Sequence, residues 1–576
     1  MVKKSFCLLF IMTLVSCAHQ GRKDQSSIRG LFAQKKFNEA LSYLNKSTLK
    51  KDEKNRLLYL MERGSIAYYK QNYKRAASIF SEANQLVDKM YTKSIREKIA
   101  SSVLNDNSES FYGSLFERSM LYYYQALSFY QLAEKGSYSK TITLKDGKKE
   151  VREEKLSDEE VKQALGRVRA TLIAWDSFFE DFKRSFGGQS IHNHDLTSKV
   201  LAAGLHERLG TKRDLEISMQ LYKDAEAILK RIGPAYKVYN NEFKGYNREL
   251  KTFLEKKSDP LKIKKDYITQ TEDYRNTLNH LHFKILSFYK TRRKYQYKKM
   301  LNFYKPLQEV KEKLKRLTAP PMSFLIEVGM ISELKGEDFA YNLRSAIANV
   351  DDPSSKALIE GIGVPVLTYF ATGPLGLGYV SHQDNVSIYT QHNAGFELTK
   401  EVGIEFEMAK VAEPDITARY ALQFLQNEQL VHEEKLVNLV PLNDISYLNA
   451  QEVISQNFST RSVRVGVKYV LAIAAAYATY KKVKESSGEL FARPAALTQF
   501  LLSQKAIKES EAADTRHWTT MPSYIYRCDV LGLKPGQYTV KFVKYSDSEK
   551  DREVVKNLGE FSYSPENRSL FSHRIF

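Results

Sequence analysis

Three constellations in this sequence hold residues able to do chemistry. At Leu14-Val15-Ser16-Cys17 a thiol follows a small residue and lies three positions after a leucine. A thiol so placed can accept a diacylglycerol; cleavage ahead of it then frees an amine for further acylation. At His192-x-His194-Asp195 two imidazoles two positions apart can ligate zinc from a loop or strand, with His206 the nearest further donor. No third ligand is evident, so a polar helix-capping loop and no metal are expected there. At Asp514-x-Arg516-x-Trp518 a carboxylate, a guanidinium and an indole alternate. They can seal the entry to a strand as an ion pair beside a packed ring; a binding site is the alternative. Cys528 falls in an expected strand, where an inert buried thiol is the expectation. Glu180-Asp181 reads as ordinary helix surface. No P-loop, GxSxG, HExxH or cysteine cluster occurs, so neither an enzyme nor a cofactor is expected.

What precedes Cys17 must position it. Met1–Ser16 has two lysines and then about ten apolar residues, Phe6–Val15. That stretch is too short to cross a bilayer of roughly 30 Å as a helix. The segment looks like a bacterial lipoprotein signal ending in a lipobox. The resemblance implies removal of residues 1–16, lipid on Cys17 and a polar tether over 17–25. Two or three acyl chains give durable anchoring where one does not. Ala18, where an Asp would favour the inner membrane, implies the outer membrane facing the periplasm. With Cys7 removed and Cys17 acylated, Cys528 has no partner and no intrachain disulfide forms.

Formal charge is +20 and falls to +18 once Lys3 and Lys4 are lost; 43% of residues are apolar and 27% charged. That composition supports ordinary cores and excludes a disordered or membrane-embedded chain. The positive excess favours anionic lipid or glycan; an exported chain leaves nucleic acid aside as a partner.

The region 26–232 reads as helical repeats. Ile28–Ser47 carries Gly30, Phe37, Ala40 and Leu44; Tyr59–Val87 carries Gly64, Tyr73, Ala76, Phe80 and Ala83. Phe37 to Tyr73 and Ala40 to Ala76 are both 36 residues. This spacing resembles the tetratricopeptide (TPR) repeat, in which a small residue on one helix lets the next approach and hairpins stack to bury a shared face. A generic helical bundle is the alternative. A third unit is expected over Leu201–Ile228, turning at Gly210-Thr211. Between the units lie Asn105-Asp106-Asn107, Tyr112-x-x-x-Phe116 and Arg118; Ser114 with Glu117 forms a capping pair. Loop packing and a helix start is one reading of this stretch, a ligand loop the other. Gly136–Ser157 reads as a β-hairpin turning at Asp146-Gly147. Helix resumes to Phe186 behind a Ser157–Glu160 cap.

Residues 233–320 read as a basic helical insertion or hairpin, with Lys and Arg crowded over 284–316 among tyrosines. A solvated charged face and a surface for anionic lipid or glycan are both open. Residues 321–576 read as a smaller α+β domain. Phe324–Val350 is expected to be helical. Gly361–Val380 is expected to be a buried strand and loop. Strands are expected over about 380–442 and 514–576, with a helical insertion over 443–511 in which Tyr469–Tyr480 is a buried core helix. Leu533–Val540, a Pro-Gly turn feeding alternation, suggests an immunoglobulin-like sandwich.

The LNDN loop, Tyr112-Gly113, the helix start Phe116-Glu117-Arg118-x-Met120, and Asp514-x-Arg516-x-Trp518-x-Thr520-x-Pro522 together resemble an uncharacterised family of Gram-negative TPR lipoproteins. The resemblance implies architecture and no activity. The expectation is a mainly α, membrane-anchored envelope lipoprotein acting as a non-enzymatic protein-interaction scaffold, its partners unidentified envelope proteins. Binding or processing of envelope glycan, or binding of anionic lipid, is the alternative.

Overall fold

The computed structural model describes residues 21–90, 110–143, 149–186, 195–241, 243, 271–318, 320–342, 403–415, 418–545, 551–564 and 570–576. The lipobox with Cys17, Asn105, Asp106, Asn107, the Asp146-Gly147 turn, His192, His194 and Gly361–Val380 lie outside them.

The chain is mainly helical with a sheet-rich C-terminal region. Its first two helices, α1 (21–33) and α2 (Phe37–Lys46), form a hairpin, followed by the single turn α3 (Thr48–Lys51). The next pair is α4 (Arg56–Tyr69) and α5 (Tyr73–Met90). The two corners coincide at a 36-residue offset. Lys35 and Gln71 are both left-handed, at φ 59° and 60°. Lys36 N–H donates to Leu31 O and Asn72 N–H to Ala67 O, both at 3.0 Å. Such bonds satisfy the carbonyls a helix end leaves open. Ala40 and Ala76 are fully buried behind the two corners. Gly64 supplies the expected close approach, because a Cβ there would stand 2.5 Å from the Phe80 ring. Gly30 does not: it faces open space, and the offset puts Ile28 opposite Gly64.

Then come α6 (Leu115–Lys135) and α7 (Asp158–Phe186), joined by the antiparallel ribbon β1 (Ser137–Thr143) and β2 (Lys149–Lys155). Both capping pairs form. Ser114 N–H donates to Glu117 Oε2 at 2.6 Å, and Ser157 N–H to Glu160 Oε2 at 2.8 Å. The third expected hairpin is α8 (Leu196–Leu209) and α9 (Lys212–Ile232), turning at left-handed Gly210 with Thr211 as cap. Behind it, 3-10 turns occupy Gly233–Ala235 and Lys237–Tyr239. The helices α10 (Glu272–Arg292), α11 (Lys294–Tyr304) and α12 (Gln308–Arg316) follow. From α4 to α9 each helix packs on the next, and α10 packs on α9. Leu281, Ile285 and Tyr289 carry α10 into the same core.

Over its described part, 324–342, the expected helix Phe324–Val350 is replaced by strands. These are β3 (Met322–Val328) and β4 (Leu334–Asn342), the latter paired with β5 (Gly403–Val411). The remaining strands are β6 (Tyr420–Gln426), β7 (Gln429–Lys435), β8 (Val437–Pro441), β9 (Tyr524–Val530), β10 (Gly536–Tyr545), β11 (Arg552–Tyr563) and β12 (Leu570–Ile575). Two four-stranded sheets result, ordered β12-β3-β9-β8 and β11-β10-β6-β7. Only β12–β3 is a parallel pair within the first. Phe324, Ile326, Tyr526 and Cys528 of the first sheet meet Phe424, Val540 and Phe542 of the second in one core. The opposite face of the first sheet meets the helices, where Leu325 and Ile525 join the helical core. Helices, sheet and sheet thus form three layers. β3 is buried on both faces, so its alternation does not show as apolar against polar.

Between β8 and β9 stand α13 (Leu442–Ser487) and α14 (Glu489–Ser510), an antiparallel hairpin over the expected helical insertion. The apolar run Tyr469–Tyr480 is the middle of the 46-residue α13. Val465, Tyr469, Ala472, Ala476 and Tyr480 form one buried stripe, while Ala475 and Ala478 are exposed. Among the described residues no helix is long and apolar enough to cross a membrane.

Candidate functional site

The segment between α14 and β9 lies along the helical layer, and there the two sequence motifs meet. Arg516 donates to both oxygens of Asp514, at 2.9 and 2.7 Å, and to Asn55 Oδ1 at 3.0 Å. Trp518 is fully buried. Its backbone N–H donates to Glu117 Oε1 at 2.6 Å, and its indole to Ser65 Oγ at 2.9 Å. Its ring lies 5.5 Å from that of Tyr124 and 5.9 Å from that of Phe80. Glu62 accepts from Thr519 N–H (2.7 Å), Thr519 Oγ1 (2.8 Å) and Thr520 Oγ1 (2.7 Å). Burial outweighs these bonds and pushes the Glu62 carboxyl up to about 7. Burial also raises Glu117, against the Trp518 and Ser114 N–H groups.

The ion pair beside a packed indole is therefore present, and what it closes is the seam between helices and sheets. Phe116 and Arg118 are buried near it, Arg118 stacking 6.0 Å from the Phe178 ring; Tyr112 is half-buried. Glu117, between these two candidate residues, makes the contact itself. Glu62 and Asn55 escape sequence reasoning, and no local pattern marks them, since their partners lie more than 450 residues away. With its indole and carboxylates buried, this arrangement joins the helical layer to the segment that leads into β9.

Two further polar clusters lie on the helix-facing side of the first sheet. The Tyr69 and Tyr124 hydroxyls donate to buried Glu327, and Arg574 stands 3.8 Å from that carboxylate. Nearby, Asp529 pairs with Lys284 at 2.8 Å and Arg527 at 3.1 Å; Glu207 pairs with Lys284 at 2.7 Å and Arg527 at 2.8 Å. Burial alone would raise both carboxyls, but these cations hold Asp529 and Glu207 below the usual carboxylate range. Beside Asp529 is a cavity of about 120 Å³ lined by Asn276, His280, Phe283, Lys313 and Glu434. Burial pushes the His280 imidazole down to about 3, so it is neutral, and Glu434 is paired with Lys313 at 2.5 Å. Of the acids that line it, Asp529, Glu434 and Glu272 are paired with cations, and Glu309 lies exposed.

Asp195 caps α8, accepting from the Thr197 and Ser198 N–H groups at 3.0 and 3.2 Å. His206 is occupied by Asp214, 3.0 Å away. Among the described residues no three His, Cys, Asp or Glu side chains are grouped to hold a metal ion. Cys528 is buried in the core between the sheets, and burial raises its thiol far above the ordinary range. Glu180 and Asp181 lie exposed on α7.

The basic region divides. Lys284 is buried in the ionic cluster, and Lys290 donates to the Leu314 carbonyl at the end of α12. In contrast α11 buries no residue and exposes Tyr295 and Phe303 beside Lys294, Lys298 and Lys299. The other unusual surface is α14, with Leu490, Phe491, Leu497, Leu501 and Leu502 at 80, 61, 52, 52 and 60% exposure. No protein-family model, curated protein or solved structure matches this chain.

Proposed function

We propose that this chain is a non-enzymatic interaction scaffold of the bacterial cell envelope, lipid-anchored through Cys17, in which TPR-like hairpins present a partner-binding face. The observation that carries this reading is the corner that recurs at 36 residues, with matching left-handed positions and hydrogen bonds. Stacked repeats of this kind build extended surfaces suited to proteins. The lipobox supports the compartment. The paired sheets support an immunoglobulin-like reading in their layering, although the parallel β12–β3 pair departs from an all-antiparallel sandwich. The buried joints at Trp518, Glu327 and Asp529 suit a rigid body.

Mild cross-linking in cells followed by detergent extraction tests the reading. A protein partner recovered at fixed stoichiometry, and cross-linked through positions on α2 or α5, is the expected result. Turnover of muropeptides by the purified chain would overturn it. A second reading is favoured by α11, whose lysines and exposed aromatic rings suit an anionic glycan or headgroup. Sedimentation with purified peptidoglycan, lost on Lys298→Glu with Lys299→Glu, would support that reading.

A further inference from the structure

The α14 helix of the α13–α14 hairpin carries large apolar side chains on both sides. Its inner face, Ala492, Ala496, Phe500 and Ile507, packs on the α13 stripe, with Ala492 and Ala496 against Tyr480 and the Phe500 ring 6.5 Å from that of Tyr469. Five further large apolar side chains of α14 point outward. At 100° per residue, Leu490, Leu497 and Leu501 fall within about 40° of one another, with Pro494 next and Phe491 and Leu502 beyond it. An amphipathic surface helix of a soluble protein carries polar residues on the face opposite its buried one, and α14 does not. Nothing among the described residues covers this face.

Charge says what fits it. From residue 464 to 511 the sequence has eight basic and four acidic residues. Two of the acids are neutralised within the hairpin: Glu489 pairs with Lys484 at 2.7 Å, and Glu511 with Arg464 at 2.7 Å and Lys468 at 2.6 Å. Lys481 and Lys482 near the tip and Lys505 near the base are exposed and have no ion-pair partner among the described residues. An apolar strip on a hairpin with unpaired lysines near its tip and its base matches a bilayer surface, with acyl chains beneath and phosphates at the margins. A helix of 22 residues interrupted by Arg493 is unsuited to spanning the hydrocarbon, so it lies along it.

We propose that the outward face of α14 docks on an anionic phospholipid surface, its leucines and Phe491 entering the acyl boundary and Lys481, Lys482 and Lys505 meeting headgroup phosphates. The proposal deepens the envelope reading above and rests on it for the compartment, while its test omits the anchor. The test uses the mature chain, residues 17–576 without the signal segment, carrying Cys17→Ser and Leu490→Trp. The two native tryptophans, Trp175 and Trp518, are buried, so the added indole reports alone on solvent change at the strip. With vesicles of equal phosphatidylcholine and phosphatidylglycerol, its emission should shift to the blue and be quenched by lipids brominated on the acyl chain. Co-sedimentation should fall at least tenfold with Leu497→Asp plus Leu501→Asp, or with Lys481→Glu plus Lys482→Glu, while far-UV circular dichroism stays unchanged. An emission that ignores the vesicles overturns the proposal even if the aspartate variants misfold. So does an indole already shielded before vesicles are added, or a shift that tracks protein concentration and a doubled mass, which would mean a second copy covers the strip. Failure of the anchor would instead appear as loss of acylation at Cys17, which this measurement does not involve.

Discussion

Replacing Glu62 with Gln isolates the electrostatic cost of the joint between the helices and the C-terminal segment. Glu62 is fully buried and accepts three hydrogen bonds from Thr519 and Thr520. Its carboxyl is raised from 4.5 to about 7, with burial the leading cause. Because the folded value lies above the unfolded one, the folded chain keeps a proton that the unfolded chain has released. That contribution to stability is complete below 4.5 and is lost as pH rises through 7. Each pH unit over which one proton separates the states is about 1.4 kcal/mol, so roughly 2 kcal/mol should disappear between pH 5.5 and pH 7.5. Gln can still accept from Thr519 and can donate to Thr520, and it does not titrate. Urea unfolding of wild type and Glu62→Gln at both pH values is the assay. Asp444, also raised to about 7 by burial, is common to both chains and cancels in the difference. Wild type should lose about 2 kcal/mol more than the variant over this range. Equal losses, or a wild type that gains stability relative to the variant as pH rises, would refute the reasoning.

Two glycines in adjacent hairpins should respond oppositely to alanine. Gly64→Ala forces a Cβ against the Phe80 ring and should cost about 1–3 kcal/mol in thermal unfolding. Gly30→Ala meets nothing within 4 Å and should be neutral or stabilising by up to about 1 kcal/mol. Asp529→Ala strands Lys284 and Arg527 next to a single remaining carboxylate and should cost about 3–5 kcal/mol in denaturant unfolding. An Asp529→Ala chain as stable as wild type would mean the cluster is solvated.

The helical hairpins were legible because their signals are local. A left-handed corner, a small residue behind it and a Ser-x-x-Glu cap all lie within one turn of sequence. The β1–β2 ribbon showed for the same reason. β3 was not legible as a strand because both its faces are buried: Phe324 and Ile326 face the other sheet, while Ser323, Leu325 and Glu327 face the helices. Period-two alternation needs one wet face to be visible. The span of α13 was legible because helical patterning runs on from its apolar middle into charged residues at both ends. At the joint, Asp514, Arg516 and Trp518 stood out by type, but their partners Asn55, Ser65 and Glu117 come from distant helices, and only folding brings them together. The exposed strip on α14 was invisible for a related reason. Sequence shows that leucines recur at helical spacing, but which side the neighbouring helix covers is decided by α13.

Acylation at residue 17 is the most direct test of an envelope-anchored scaffold. Cells grown with an alkyne-bearing fatty acid should yield a chain labelled on its N-terminal peptide at Cys17 and recovered wholly with membranes, and Cys17→Ser should abolish the label and leave the precursor uncleaved. An unlabelled chain whose Cys17→Ser form matures and fractionates like wild type would contradict the account.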